Sequence, residues 1–301
     1  MKRGRLVAVV GPTAVGKTSM AIGLAEHFST EVVSADSRQV FREMEIGTAK
    51  PTARQLARVR HHFVNTRSIA EGYDAGTYAD EALDVLQDLF RKRDYVILCG
   101  GSGLYIKALL EGFDDFPDVP AVVREQVIAD YNRSGLEGLQ EELRWEDPDY
   151  YEAVDQKNPQ RLMRAIEVIR HTARPFSAFH SKAKRELPFD VVKIGLDLDR
   201  KELYRRIESR MADMIRCGLF EEAKCLFPQR KHAALQTVGY QEIFGFILGE
   251  YDRNQAIHLL NRNSRRYAKR QLTWFRRDKD IRWFLPDDWQ GIIKYCTAGP
   301  S

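Results

Sequence analysis

Gly11-Pro12-Thr13-Ala14-Val15-Gly16-Lys17-Thr18 lies between an apolar run, Leu6 to Val10, and a helical pattern that opens at Ser19. A strand, a glycine-rich turn and a helix in that order satisfy the P-loop pattern G-x-x-x-x-G-K-[ST] in the context that gives it meaning. Backbone N–H groups of such a loop cradle phosphates, and the following helix N-terminus favours negative charge. Lys17 is placed to neutralise phosphate oxygens, and the Thr18 hydroxyl to ligate Mg²⁺. The loop indicates a polyphosphate without saying whose.

Working outward, a second short strand, Glu31 to Ala35, ends at Asp36, followed by Ser37-Arg38-Gln39-Val40. In an open parallel sheet ligands gather beyond the carboxyl ends of the strands, so Asp36 is expected beside the phosphate site. A carboxylate there has three available tasks: holding Mg²⁺ through water, accepting a proton from a nucleophile, or capping the next turn. Pro51 is read as opening a helix, and Ala79 to Arg91 as another. Tyr95 to Cys99 is a buried strand that runs into Gly100-Gly101-Ser102-Gly103. No Asp ends that strand, which argues against a motor or switch ATPase.

The expected fold is therefore α/β, a P-loop NTPase-like parallel sheet core carrying a helical insertion domain. The core spans 1–112 and 188–301, and the insertion 113–187. Its near edge is the acidic linker with Asp114, Asp115, Pro117, Asp118 and Pro120, and its far edge the polar stretch Ser181 to Pro188. Between them only helices are read: Ala121 to Tyr131, Leu136 to Arg144, Pro148 to Val154 and Pro159 to His171. Asp147-Pro148 and Asn158-Pro159 are N-cap and first-turn proline pairs. The sheet resumes at Val191 to Leu198, before a helix from Arg200 to Cys217. On that helix Arg206 and Arg210 share a face, either reaching the phosphate site or pairing with Glu202 or Glu208.

A net charge of +4 over 301 residues looks modest until it is located. Residues 262 to 282 hold nine Lys/Arg against Asp278 and Asp280, a local +7 that leaves −3 for the rest. Arg262, Arg265, Arg266, Lys269 and Arg270 fall on one face of a helix from about Arg253 to Phe275, with Leu260, Tyr267, Ala268, Leu272 and Phe275 opposite. A concentrated basic face points to nucleic-acid phosphates. The four cysteines show no C-x-x-C pairing, and no apolar run approaches a membrane span. A reduced, cytoplasmic protein is expected, monomeric by default, with no membrane association and no obligate protein partner.

Six motifs in order carry a family resemblance: GPTAVGKT at 11–18, DSRQVFREMEIGTAKP at 36–51, GGSGLY at 100–105, NPQRLMRAIEV at 158–168, TVGYQE at 237–242 and RRYAKRQLTWFR at 265–276. Together they resemble the bacterial tRNA dimethylallyltransferases, also called tRNA isopentenyltransferases, over nearly the whole chain. The resemblance implies transfer of a dimethylallyl group from dimethylallyl diphosphate to the exocyclic amine of the adenosine 3′ of the anticodon. It implies that Gly11, Pro12, Thr13, Ala14, Val15, Gly16, Lys17 and Thr18 hold the donor's diphosphate. Thr18 would help hold Mg²⁺, Arg210 would contact the diphosphate, and Asp36 would act as general base. Asp36, Ser37, Arg38, Gln39, Ser102, Arg124, Gln160, Arg161, Leu162, Met163 and Arg164 match tRNA-contacting positions. Arg265, Arg266, Lys269 and Arg270 would meet the anticodon stem-loop. Ser102 stands where the family usually has threonine, Phe41 where it has tyrosine, and Asn158 where it has aspartate. The rival reading is a P-loop kinase of a small molecule or nucleotide, and a third is a non-catalytic RNA-binding protein.

Overall fold

In a computed structural model of the protein, residues 3–112, 116–180 and 185–298 are described. They divide into two compact units, one formed by 1–112 with 186–301 and the other by 113–185. Linker residues 113–115 and the 181–184 part of the polar stretch lie outside the described residues.

The first unit is built on six parallel strands: β1 (Arg5–Val10), β2 (Val32–Ser34), β3 (His61–His62), β4 (Tyr95–Gly100), β5 (Asp190–Leu196) and β6 (Ile281–Phe284). Their order across the sheet is β3-β2-β4-β1-β5-β6, which puts the strand that feeds the glycine loop at the centre. β1 can occupy that place because it is apolar on both faces. Leu6, Ala8 and Val10 pack on one side with Tyr78, Ala82 and Leu109, while Val7 and Val9 pack on the other with Ile22, Leu24 and Ile207. All five of β1's residues 6 to 10 are at most 2% exposed.

The helices are α1 (Lys17–His27), α2 (Ala53–Arg58), α3 (Ala75–Phe90), α4 (Gly103–Glu111), α5 (Ala121–Glu146), α6 (Pro148–Ala153), α7 (Pro159–Thr172), α8 (Arg200–Arg216), α9 (Leu219–Leu226), α10 (Gln241–Ile247), α11 (Arg253–Phe275) and α12 (Trp289–Ala298). None is long and apolar enough to cross a membrane among the described residues. Side-chain caps open several of them, as sequence anticipates at Asp147 and Asn158. Asp74 caps α3, whose first residue, Ala75, lies four residues before the expected Ala79. Pro51 does not open α2: Thr52 caps it in a reciprocal capping box with Gln55, and Pro51 precedes the cap.

The second unit packs α5, α6 and α7 around Val127, Leu139, Leu143, Leu162, Ile166 and Val168. The two helices expected over 121–131 and 136–144 meet at Gly135, whose φ of 68° interrupts the helical backbone. β6 and α12 were not anticipated. The charged run 276–280 that ends the basic segment is a turn here, and Lys193 of β5 donates to Asp278 at 2.6 Å across it.

Candidate active site

The loop between β1 and α1 takes its shape from backbone geometry. Gly11 has φ +144°, and a Cβ there would stand 2.6 Å from the Leu196 carbonyl oxygen of β5. Gly16 has φ +111°, and a Cβ there would meet only Pro286 at an ordinary 3.8 Å, so conformation rather than clearance calls for glycine. Lys17 opens α1 and folds back over the loop, its Nζ donating to the carbonyls of Gly11 at 3.0 Å and Pro12 at 2.8 Å. Burial lowers its pKa to about 8, with Arg210 adding to the depression and Cys99 and Asp36 opposing it.

Thr13, Ala14, Gly16, Lys17, Thr18, Asp36 and Arg210 all line one cavity of ≈ 290 Å³ at the carboxyl ends of the strands. Gly11, Pro12 and Val15 lie buried behind it. Arg210 comes from the middle of α8 and donates to the Thr13 hydroxyl. Its neighbour on the same face, Arg206, turns outward and pairs with Glu202 at 2.7 Å. The sequence left these two arginines with two available tasks, and the structure divides the tasks between them.

Asp36 leaves β2 and caps the turn that follows. Its Oδ1 accepts from the amide of Arg38 at 2.9 Å and of Gln39 at 3.3 Å, while among the described residues Oδ2 accepts no hydrogen bond. Capping and a chemical task are therefore compatible, one oxygen for each. Ser102, after β4, ties the two strand ends together: its hydroxyl accepts from the Ser37 amide at 2.9 Å and donates to the Ser37 hydroxyl at 3.1 Å. Gln39 is occupied locally, donating to the carbonyls of Thr48 and Ala49 at 3.2 Å each.

Three side chains to which the sequence reading gives no role hold these loops. Gln271 of α11, 7% exposed, accepts from the Thr13 amide at 2.8 Å and donates to the Gly101 carbonyl at 2.9 Å. It bridges the glycine loop to the turn after β4. Glu222 of α9 accepts from the amides of Glu45, Ile46 and Gly47 and from the Tyr240 hydroxyl, at 2.7 to 3.0 Å. Glu242 joins the Gly239 amide to Asn263 of α11. A sequence signal existed for Gln271: it stands in the buried stripe Leu260, Ser264, Ala268, Gln271, Phe275, where a polar amide needs partners. Replacing Gln271 by leucine strands the Thr13 N–H and the Gly101 carbonyl. A loss of about 2–4 kcal/mol is expected, read as a lower urea midpoint at unchanged m-value.

The insertion residues separate by burial. Gln160 and Arg161 are exposed at the start of α7. Arg124 and Arg164 converge on the buried Glu167 at 3.5 and 3.4 Å. Met163 is half-buried. Leu162 is completely buried in the helical core, where its side chain supports the helix. The basic face of α11 is also less uniform than its spacing suggests. Arg266, Lys269 and Arg270 are exposed, whereas Arg265 is ion-paired with Glu208. Beyond the helix, Arg276 pairs with Asp197 at 2.6 Å.

Whether this site suits Mg²⁺ turns on donor chemistry. Among the described residues no group of three or more His, Cys, Asp or Glu could cage a metal ion. Mg²⁺ does not need such a cage, because it keeps waters and takes one or two protein oxygens plus phosphate oxygens. The Thr18 hydroxyl and Asp36 carboxylate, both lining the cavity, fit that habit.

A central parallel strand, a phosphate-binding loop and a carboxylate at the end of β2, one strand beyond β4, define a P-loop α/β protein. A family model described as IPP transferase matches residues 39–278. The chain is similar to the tRNA dimethylallyltransferase of Cytophaga hutchinsonii, 50% identical over 97% of this chain and 96% of that one. It is 48% identical to tRNA dimethylallyltransferase 2 of Porphyromonas gingivalis, over 96% of each. Among solved structures, the tRNA isopentenylpyrophosphate transferase of Bacillus halodurans matches with a TM-score of 0.72 and 36% identity, over 98% of this chain and 95% of that one. A eukaryotic dimethylallyltransferase described as acting on tRNA shares the fold at TM-score 0.80 and 22% identity, with 98% of this chain and 77% of the other covered. The chain belongs to the IPP transferase family, whose curated members here are tRNA dimethylallyltransferases.

Proposed function

We propose that the chain transfers a dimethylallyl group from dimethylallyl diphosphate to the exocyclic amine of the tRNA adenosine 3′ of the anticodon, releasing diphosphate. The observation that carries this reading is that the cavity lined by the glycine loop adjoins a second one, the two sharing Thr13, Asp36, Thr48, Arg210 and Tyr267. The second is backed by Met211, Met214 and Leu219. A diphosphate ester with a short apolar tail suits that pairing of surroundings.

In the reaction the allylic carbon–oxygen bond breaks and a carbon–nitrogen bond forms. The electron pair leaves on the diphosphate, where Lys17, Arg210 and the loop amides stabilise it. Bound Mg²⁺, held by Thr18, would neutralise diphosphate charge. A carboxylate is far too weak a base to deprotonate a neutral arylamine beforehand. Once the nitrogen bonds to carbon it becomes cationic, and Asp36 takes its proton there. The target base lies unpaired in a loop, so drawing it into the site costs less than flipping a paired one. Exposed Arg266, Lys269 and Arg270 support phosphate contact along the anticodon stem.

The test is incorporation of labelled dimethylallyl diphosphate, with Mg²⁺, into tRNA from a strain lacking the modification, with labelled ATP in parallel. Label on tRNA, independent of ATP, is the expected result. No label on tRNA, with phosphate transferred from ATP, overturns the reading in favour of the kinase.

A further inference from the structure

The alcove beside Asp36 has a shape that its partner cavity does not explain. The side it shares with the first cavity carries Thr13, Asp36, Thr48 and Arg210, while the rest sets an apolar group, Met211 and Met214 of α8, Leu219 at the start of α9 and Val238, beside Arg38, Thr237 and Ser264. Both methionines are at most 7% exposed and Leu219 is fully buried. Behind them stands packed core with Phe220, Leu235 and Tyr240, so the alcove has no depth to gain. Arg210 and Met214 are four residues apart on α8 and therefore face the same side. One helix thus offers a guanidinium to the loop and, a turn later, a thioether to the alcove.

We infer that Met211 and Met214 form the end wall of a blind tail pocket that restricts the allylic donor to five carbons. The inference rests on the donor assignment above and adds a specificity determinant to it. The alcove measures ≈ 90 Å³. A single water needs about 10–15 Å³ of such space, so the alcove holds a few non-hydrogen atoms and no long chain. A dimethylallyl group fits. A ten-carbon geranyl chain has to displace a methionine that the core behind it already confines. Unbranched methionines close the pocket by adapting to the tail and are the side chains whose truncation opens it.

The experiment compares parent, Met211→Ala, Met214→Ala and Met214→Phe enzymes, each given dimethylallyl diphosphate or geranyl diphosphate with unmodified tRNA. Inhibition by inorganic pyrophosphate is measured alongside. The parent should favour the five-carbon donor, and either alanine variant should raise the geranyl-to-dimethylallyl ratio of kcat/KM by about 10-fold or more. Met214→Phe should lower kcat/KM for dimethylallyl diphosphate about 10-fold with inhibition by pyrophosphate unchanged, separating tail from diphosphate. If Met214→Ala does not fold, Met211→Ala reports the same ratio. A parent that prenylates tRNA, with variants keeping its donor ratio, overturns the tail pocket alone. A parent that transfers neither donor overturns the donor assignment and the tail pocket together.

Discussion

Asp36→Asn should lower the single-turnover rate of prenyl transfer by about 10² to 10⁴ while tRNA affinity stays close to that of the parent. Asparagine is the informative replacement because of how the carboxylate is held. Its Oδ1 can still accept from the Arg38 and Gln39 amides, so the turn that begins the 36–39 segment persists. What disappears is the capacity of the second oxygen to take a proton. Asp36→Ala removes both functions and should add a loss of tRNA affinity and of stability of about 1 kcal/mol, the usual worth of such a cap. A purely structural Asp36 makes the opposite forecast: the asparagine variant turns over like the parent and only alanine is impaired. Rapid-quench measurement with both variants, beside filter binding of tRNA, separates the two.

The parts of this site that were legible in the sequence are those whose partners lie nearby along the chain. Five apolar residues ending at a glycine turn can only be a buried strand entering a phosphate loop, and β1, the loop and α1 follow from that. Asp36 was legible for the same reason, as the polar residue at the next strand's end. Residues that brace the loops from far along the chain were not legible. Gln271 lies 258 residues from Thr13, and Glu222 lies 175 to 177 from the amides it gathers. Nothing local distinguishes Gln271 from a solvated residue except its place in an apolar stripe. β6 was hidden by charge: Arg282 fits a basic run, yet in the strand its guanidinium lies over the rings of Phe284 and Tyr295. Charge counting likewise overstated the basic face of α11, because the acid that neutralises Arg265 sits on α8.

α8 and α11 therefore do different work from what their composition suggests. α8 reads as a charged surface helix with internal ion pairs, which Arg205 and Arg206 do form with Glu202. Its inner face brings Arg210 to the glycine loop and two methionines to the alcove. α11 reads as a basic rod, yet its buried Gln271 joins the glycine loop to the turn after β4. Loss of this bridge should weaken donor binding as well as stability, since it holds the first residues of the phosphate cradle.

Lys17→Met should reduce kcat by about 10² to 10³, because the ammonium opposes charge that develops on the departing diphosphate. The same change should stabilise the protein without donor. A lysine pKa lowered from 10.5 to about 8 means that burial makes the charged form unfavourable in the folded state. The unfolded chain then binds more protons than the folded one between about pH 8 and 10.5, so this residue makes stability rise with pH across that window. Below pH 8 the folded protein carries the full penalty, on the order of 3 kcal/mol. Hydrogen bonds from Lys17 to the Gly11 and Pro12 carbonyls, lost in the variant, offset part of what methionine relieves. Donor binding runs the other way. A diphosphate needs the ammonium, so donor KM in the parent should rise by up to tenfold per pH unit above about 8, and the methionine variant should lose that slope. Thermal melts at pH 7 and 9.5, with and without dimethylallyl diphosphate, test both halves. The parent minus variant difference in melting temperature should be negative without donor at pH 7, shrink towards pH 9.5, and turn positive when donor is added. A difference that ignores pH would mean that Lys17 holds its charge at no cost, and that its worth to the reaction lies in position alone.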